Sequence, residues 1–590
     1  IGGGYQFNDW LRADLTIDRT IYKRNAVLDA NVWCPYQMVG LYLPDSTGAE
    51  QPIGIMANPA DRCTQKANVT LNRTSGRVNA AGQLDIQARD LVLDGPIISA
   101  FVASGVTTPE VRLTATRNAQ LGGNLTALAD VAVAVGDTLQ MVDSAWRVGS
   151  LDINAVNAYF GNPISANASV QRGATLEAAS ALKINAREAL GIHAAVTMVT
   201  SQANSVIELD ANNATVVGTL HAGATLVNNT AVANADHGVV DVDVRDTLRL
   251  GVDASLDGQT VARGANILST GDITVKGGSG LSNSGFGLVV DSNSTIKSLN
   301  LTGTDSGVVT VSGARDVQVA GYLQALQTGG QVLLSAGRML DVRGFVQGNG
   351  LVKLQGGLTD SSGYSIDSAA LLYRMSGNYF VDENNQLMDA LGNLIEDTSN
   401  QIVTTTNGLT PHHAGTAVGG SPQRLTGAVI DAGTDGAIEI SGAGVMRLDG
   451  MIGQPFTANS VVSVRPASIT IAGSDTAQTH VFADINAKNS ISISGRSLNV
   501  REGAALKTWG LQGSIEIVAK DNLLVSGSTT SSSHDPATLS ASQWVHLRGN
   551  NVYVAGDVDA GDHVWLNAAA DVTVYGNVST RGNALSDAAD

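Results

Sequence analysis

Apolar residues alternate with polar residues in short runs that recur along most of the chain. Each repeat reads apolar-x-apolar-x-Gly/Ala, then a short corner, then apolar-x-apolar-x-Gly-x-apolar. Strict alternation with a period of two predicts short strands that each bury one face. The clearest copies begin at Val545 and Val564, 19 residues apart, and further copies begin at Leu84, Val111, Leu182, Val309, Val332, Ile438, Ile491 and Ile515. A phrase of about twenty residues that recurs in this way predicts a solenoid of stacked coils.

Glycine or alanine at the corners removes the side chain that would clash where the chain bends inward. Helices are disfavoured, because no long window places apolar residues at i, i+3, i+4 and i+7 and the repeats are rich in Val, Thr, Asn and Gly. We therefore predict an all-β chain that folds as a right-handed parallel β-helix, or β-solenoid. An N-terminal β-rich module and a mid-chain loop or hairpin insertion interrupt the regular pattern.

The repeat divides the chain into four segments. Residues 1–75 lack it and hold a large share of the aromatic residues, which predicts a β-rich module outside the solenoid. Parallel β-helix is predicted over 76–357 and again over 436–590. The last copy of the repeat in 436–590 is as regular as the interior copies, so we interpret this segment as part of a longer polypeptide. Between them, residues 358–435 form a predicted insertion.

The insertion carries a different pattern, in which pairs of apolar residues recur every seven positions. These pairs are Phe380-Val381, Leu387-Met388 and Leu394-Ile395, each followed by Asp or Glu. A coiled coil would need apolar residues at alternating spacings of three and four, whereas adjacent apolar residues followed by acidic and Gly-Asn steps are typical of turns. We predict short strand-turn units extruded from one corner of the solenoid.

Composition narrows the classes of partner. The 590 residues carry a formal net charge of −18, spread along the chain, and this repels a polyanion such as nucleic acid. No run of eighteen or more apolar residues occurs, so no membrane span is predicted.

The only two cysteines are Cys34 and Cys63. The alternatives are a disulfide and two free buried thiols, and we predict the disulfide, because the rest of the chain avoids cysteine and the fold class is mostly extracellular. No cofactor or metal site is predicted. Isolated acidic clusters indicate at most weak Ca²⁺ binding, namely Asp236, Asp241 and Asp243, and Asp382 with Glu383.

Catalysis would require clustered carboxylates, or carboxylates beside a basic residue, on neighbouring coils. A basic residue adjoins an acidic one at several corners: Arg89-Asp90, Arg187-Glu188, Arg245-Asp246, Arg315-Asp316 and Lys520-Asp521. Because the pair recurs at the same place in distant coils, we interpret it as a feature of solvated turns. The doublet His412-His413 lies in the insertion and is interpreted as a solvated loop. We predict that the chain is not an enzyme and has no catalytic residue.

The repeats resemble those of the filamentous-haemagglutinin class of large bacterial surface exoproteins and, more loosely, autotransporter passenger domains. The resemblance is architectural. It implies secretion across a Gram-negative envelope, an extracellular or cell-surface location, and a role in adhesion, aggregation or display.

Three functions remain open on this basis. The first is a structural or adhesive rod that contacts host or bacterial surface glycans. The second is a segment of an extracellular filament or sheath, in which further repeats of the same polypeptide or neighbouring copies stack end to end. The third is a polysaccharide-active enzyme, which the scarcity of aromatic residues within the repeats disfavours.

Overall fold

The computed structural model describes most of residues 84–357 and 428–581, short strands before residue 84, and two strands between residues 380 and 388. Within these two stretches the residues left undescribed are 96, 100–109, 128, 163–171, 229, 235–236, 255–259, 263, 279–285, 300–306, 445, 449, 454–465, 477 and 528–534. Every regular element in the described residues is a β-strand.

The chain divides into two compact units, residues 1–275 with 299–302, and residues 276–298 with 303–590. The strands of the first unit are β1 (Gly2–Phe7), β2 (Leu11–Ile17), β3 (Thr20–Lys23), β4 (Ala26–Asp29), β5 (Tyr42–Pro44), β6 (Glu50–Pro52), β7 (Val69–Leu71), β8 (Arg77–Ala80), β9 (Leu84–Ala88), β10 (Leu91–Leu93), β11 (Ile97–Ser99), β12 (Glu110–Ala115), β13 (Ala119–Ala127), β14 (Asp130–Val135), β15 (Thr138–Phe160), β16 (Ala174–Ile192), β17 (Val196–Thr200), β18 (Val206–Val216), β19 (Thr219–Ala222), β20 (Ala224–Val227), β21 (Thr230–Ala233), β22 (Val239–Leu250), β23 (Val252–Ala254), β24 (Thr260–Ala262) and β25 (Asn266–Ser269). The division between the units falls within β26 (Ile273–Gly277).

The second unit continues with β27 (Phe286–Val290), β28 (Thr295–Ser298), β29 (Val308–Gly313), β30 (Asp316–Val319), β31 (Tyr322–Ala325), β32 (Gln331–Ala336), β33 (Leu340–Val342), β34 (Phe345–Gly348), β35 (Leu351–Gly356), β36 (Phe380–Val381), β37 (Leu387–Met388), β38 (Val429–Asp431), β39 (Ala437–Gly442), β40 (Met446–Leu448), β41 (Met451–Ile452), β42 (Ser468–Ala472), β43 (Gln478–Val481), β44 (Asp484–Ala487), β45 (Ser490–Gly495), β46 (Ser497–Val500), β47 (Ala505–Thr508), β48 (Ser514–Ala519), β49 (Asn522–Val525), β50 (Thr538–Ala541), β51 (Trp544–Val554), β52 (Asp557–Ala560), β53 (His563–Val574) and β54 (Val578–Thr580).

In the first unit, each coil contributes three strand segments that pair in parallel with the equivalent segments of the next coil. In the coil that begins at Leu84, the three segments align Leu84 with Val111, Leu91 with Ala119, and Ile97 with Leu125. All six of these side chains are buried. The period-two alternation therefore places every second residue in a narrow aliphatic core, as the sequence predicts.

The parallel ladder also reaches into residues 1–75. Strands β2, β3 and β4 pair in parallel with β7, β8 and β9, while β1 pairs antiparallel with β2. The division of the chain at residue 75 into a module and a solenoid stays a prediction. Cys34 and Cys63 lie outside the described residues, so the disulfide also stays a prediction.

The second unit has the most regular core. One inward column runs through eight consecutive coils and consists of Val332, Val352, Ile438, Ile469, Ile491, Ile515, Val545 and Val564. Strand Leu351–Gly356 pairs directly with Ala437–Gly442, although 80 residues separate the two in sequence. Val429–Asp431, near the end of the predicted insertion, also belongs to the ladder, because it pairs in parallel with β34. The other two described strands inside the predicted insertion, β36 and β37, pair antiparallel.

Several corners differ from the sequence prediction. The phrase predicts two short strands separated by a corner, but strands such as Thr138–Phe160 and Ala174–Ile192 run through the corner without a break. The ladder shifts register there, for example between Ala186 and Ala189. An extra residue in one strand turns the chain while the hydrogen bonds on both sides are kept, so these corners are β-bulges and not loops.

Candidate functional site

The outer surface of the last described coils in the second unit carries a group of rings that we call the aromatic strip, formed by Trp544, His546, His563 and Trp565. Strands β51 and β53 place them there because the intervening residues, Val545 among them, point into the core. The register sets Trp544 beside His563 and His546 beside Trp565. The strip therefore follows from the 19-residue coil length and the period of two.

Trp565 lies at the centre of the strip and is 53% exposed. Its ring centroid is 4.1 Å from that of His563, 5.7 Å from that of His546 and 6.2 Å from that of Trp544. The His546 contact is edge-on, at 80°, and the other two are tilted. Tilted and edge-to-face pairs at these distances attract one another, so the rings fix each other's orientation before any partner arrives.

Two carboxylates border the strip. Asp562 Oδ2 lies 2.9 Å from His563 Nδ1, and Glu516 Oε1 lies 3.7 Å from His546 Nδ1. A second, smaller aromatic pair lies on the same coils, where the rings of Tyr553 and Tyr575 are 5.5 Å apart. Exposed rings beside hydrogen-bonding groups suit a surface that contacts sugars or proteins, because a ring offers apolar area at low entropic cost.

Three of the corner carboxylates in the sequence prediction bond to an arginine of a neighbouring coil, and Asp90 also lies 3.6 Å from the adjoining Arg89. Arg117 Nε donates to Asp90 from the next coil at 2.8 Å, and this bond holds the pKa of the Asp90 carboxyl below its usual value. Arg338 Nε donates to Asp316 at 2.7 Å, and Arg496 Nε donates to Asp521 at 2.8 Å. These carboxylates link successive coils.

Within the described part of the chain, no three or more His, Cys, Asp or Glu side chains are grouped so that they could hold a metal ion. Asp241 and Asp243 lie on β22, whereas Asp236, Asp382, Glu383 and the doublet His412-His413 lie outside the described residues. The described part also has no helix with the length and hydrophobicity of a membrane span. The predictions of weak Ca²⁺ binding and of a chain without catalytic activity are not tested by this arrangement.

Sequence reasoning missed the aromatic strip, because it treated the repeats as poor in aromatic residues. A usable signal was present: Trp544 and His546 are followed 19 residues later by His563 and Trp565, at positions that alternate with the core valines and leucines.

Compared with protein-family models, curated proteins and solved structures, the chain gives no match.

Proposed function

We propose that the chain is a right-handed parallel β-helix that serves as a structural and adhesive segment of an extracellular bacterial surface exoprotein. The observation that carries this proposal is the aromatic strip, in which Trp565 is exposed at the centre of three packed rings. Each coil supports its neighbours through a continuous aliphatic core, so the strip stands on a stiff base. A stiff base and an exposed ring cluster are what contact with a surface requires, since little order has to be gained on binding.

The proposal is tested with beads that carry the purified chain through an N-terminal biotin. Attachment of the beads to bacterial cells and to cultured epithelial cells is counted before and after Trp565→Ala. We expect attachment to fall at least tenfold, because removal of a central interface tryptophan typically costs more than 2 kcal/mol. The matched control is Tyr322→Ala, which removes another exposed aromatic ring of the same unit, 48% exposed and outside the strip.

Either of two results would overturn the adhesive role of the strip. One is that beads carrying the unmodified chain attach no better than bare beads. The other is that Tyr322→Ala lowers attachment as much as Trp565→Ala does, since the loss would then follow from exposed aromatic area in general. Circular dichroism of the variants establishes that both retain the β-structure.

A second function, assembly into a filament or sheath, is favoured by a different observation. In the last described coil, the apolar side chains of Val572, Val574 and Val578 are between 40% and 45% exposed, although the residues that precede them in their columns are buried. Further repeats of the same polypeptide or a neighbouring copy would cover them. Val574→Pro removes a ladder donor and should shorten filaments seen by electron microscopy. Filaments of unchanged length would exclude this contact.

A further inference from the structure

A groove of about 450 Å³ lies on the outer surface of the first unit, just past the bulged corners of its strands. Four neighbouring segments, from β15, β16, β18 and β22, form its floor. Their register sets one outward column of Tyr159, Gly191, Thr215 and Arg249, and beside it a column that includes Ala189, Asn213 and Thr247. The alternating inward residues, such as Phe160 and Ile192, are buried, so the floor is fixed by the core.

Gly191 lowers the floor and lets an aromatic ring lie across it. A Cβ at this position would be 2.8 Å from Tyr159 Cδ1 and 3.5 Å from His193 Nε2. The first distance is too short for two carbon atoms, so any side chain at 191 would displace the tyrosine ring. One wall of the groove is therefore a ring whose place depends on a glycine in the next coil.

Five polar side chains of the groove have their hydrogen-bonding capacity free, whereas His193, which also lines it, has an interaction of its own. In the described part of the chain, the side chains of Tyr159, Asn213, Thr215, Thr247 and Arg249 make neither a hydrogen bond nor an ion pair. An exposed arginine without a carboxylate partner is unexpected in a chain with a net charge of −18. Three strand spacings of about 4.8 Å separate the backbone of Tyr159 from that of Arg249, or about 14 Å.

We propose that this groove binds a short oligosaccharide with one acidic pyranose, and this holds independently of the adhesive role of the aromatic strip. The carboxylate would pair with the guanidinium of Arg249, whose fork of donors matches a carboxylate. A neighbouring ring of the ligand would stack on Tyr159, and its hydroxyls would bond to the Asn213 amide and the Thr215 and Thr247 hydroxyls. A long polyanion is disfavoured by the overall charge, whereas a single carboxylate meets one arginine locally.

The acidic pyranose could be a sialic acid or a uronic acid, so the experiment includes both. The full chain is titrated with sialyllactose, with an aldobiouronic acid that joins one glucuronic acid to one galactose, and with lactose, and binding is followed by isothermal titration calorimetry. Lactose is the matched neutral ligand, because it is sialyllactose without the acidic unit. We expect at least one of the two acidic sugars to bind at least tenfold more tightly than lactose, and which one binds identifies the source.

Variants connect binding to the groove. Arg249→Gln should weaken the acidic sugar at least tenfold and bring it close to lactose, while Tyr159→Leu should weaken both acidic and neutral ligands. Arg548→Gln is the control, because it removes the same charge from an exposed arginine without a partner in the described part of the other unit. Trp565→Ala should leave binding unchanged, which separates this site from the aromatic strip.

Three results would overturn the proposal. The first is that neither acidic sugar binds at millimolar concentration, and the second is that lactose binds as tightly as the acidic sugars. The third is that Arg548→Gln lowers the affinity for the acidic sugar as much as Arg249→Gln does. The last would mean that the sugar follows general charge and not the groove. Gly191→Ala provides a further check, since it keeps Arg249 but displaces the Tyr159 ring, and unchanged affinity in that variant would exclude stacking on Tyr159.

Discussion

Replacing Val554 and Val574 by alanine, one at a time, compares the same side chain in two neighbouring coils. The two residues are adjacent in one inward column, which runs from Val525 to Val554 to Val574. Val554 is 0% exposed, between coils on both sides, whereas Val574 is 43% exposed. The backbone context is otherwise similar, since both side chains lie four residues or fewer after a bulged corner.

The expected cost follows from the buried area. Valine to alanine removes two methyl groups, each contributing about 0.8 kcal/mol when fully buried, and a closed site adds a cavity term. We therefore expect Val554→Ala to lower the local free energy of unfolding by about 2 to 3 kcal/mol. Val574 lacks one covering layer, so its replacement should cost about 1 kcal/mol or less.

Hydrogen exchange measured by mass spectrometry is the appropriate assay, because solenoids open locally and a single midpoint does not describe them. Amides of 551–554 should exchange roughly 30 to 150 times faster in Val554→Ala. Amides of 571–574 should change only a few-fold in Val574→Ala. Equal losses for the two variants in dilute solution would refute the reasoning, because they would mean that Val574 is as fully covered as Val554.

Two further predictions concern buried ionisable groups. His221 is 3% exposed, neither ring nitrogen has a hydrogen bond in the described residues, and burial lowers its pKa to about 4. Between about pH 6.5 and pH 4, the unfolded chain therefore binds a proton that the folded chain does not, and the free energy of unfolding falls as the pH falls through that window. His221→Leu removes this loss, so we expect the variant to be about 2 kcal/mol more stable than the unmodified chain at pH 5 but not at pH 8. Chemical denaturation at the two pH values measures the difference. An equal effect at both pH values would contradict this. The second prediction compares a buried and an exposed ion pair: Asp316 is 2% exposed and accepts hydrogen bonds from Arg338 and the Met339 amide, whereas Asp521 forms an exposed pair with Arg496. Asp316→Asn should lower the free energy of unfolding by about 2 kcal/mol, and Asp521→Asn by less than about 1 kcal/mol. Similar losses in the two variants would show that burial does not set the strength of these pairs.

The core could be predicted from the sequence because each inward position obeys a simple constraint. In the column from Val332 to Val545, every member is aliphatic and buried, and half of the ten phrases that reveal the repeat begin at one of these positions. A polar residue there would be buried without a partner, which costs several kcal/mol. The constraint is therefore strong enough to be visible in one sequence.

The corners were less predictable, because two different geometries turn the chain equally well. Glycine and polar residues at a corner are compatible with a loop and with a bulge that keeps the strand continuous. The repeat predicts that Arg187 and Glu188 lie at a corner between two strands, but they lie within the continuous strand Ala174–Ile192. Only the positions of the hydrogen bonds on both sides distinguish the two cases.

The outer surface was the least predictable part, because outward positions need only tolerate water. The groove column of Tyr159, Gly191, Thr215 and Arg249 joins residues separated in sequence by 32, 24 and 34 positions. Loops of different length intervene, so no fixed period reveals the column. The aromatic strip differs, because its two coils are joined by the constant spacing of 19.

This separation of inward and outward positions also makes the functional proposals testable without loss of the fold. Trp565 and Arg249 are exposed, the residues on either side of Arg249 are buried in the core, and those on either side of Trp565 are half-buried in the inward columns. A coil contacts only its neighbours, so a substitution at either position removes surface chemistry and leaves the inward columns intact. Loss of binding together with unchanged amide exchange in β22, which holds Arg249, or in β53, which holds Trp565, would therefore locate the function on the surface. Loss of binding together with faster exchange would mean that the residue acts through the fold.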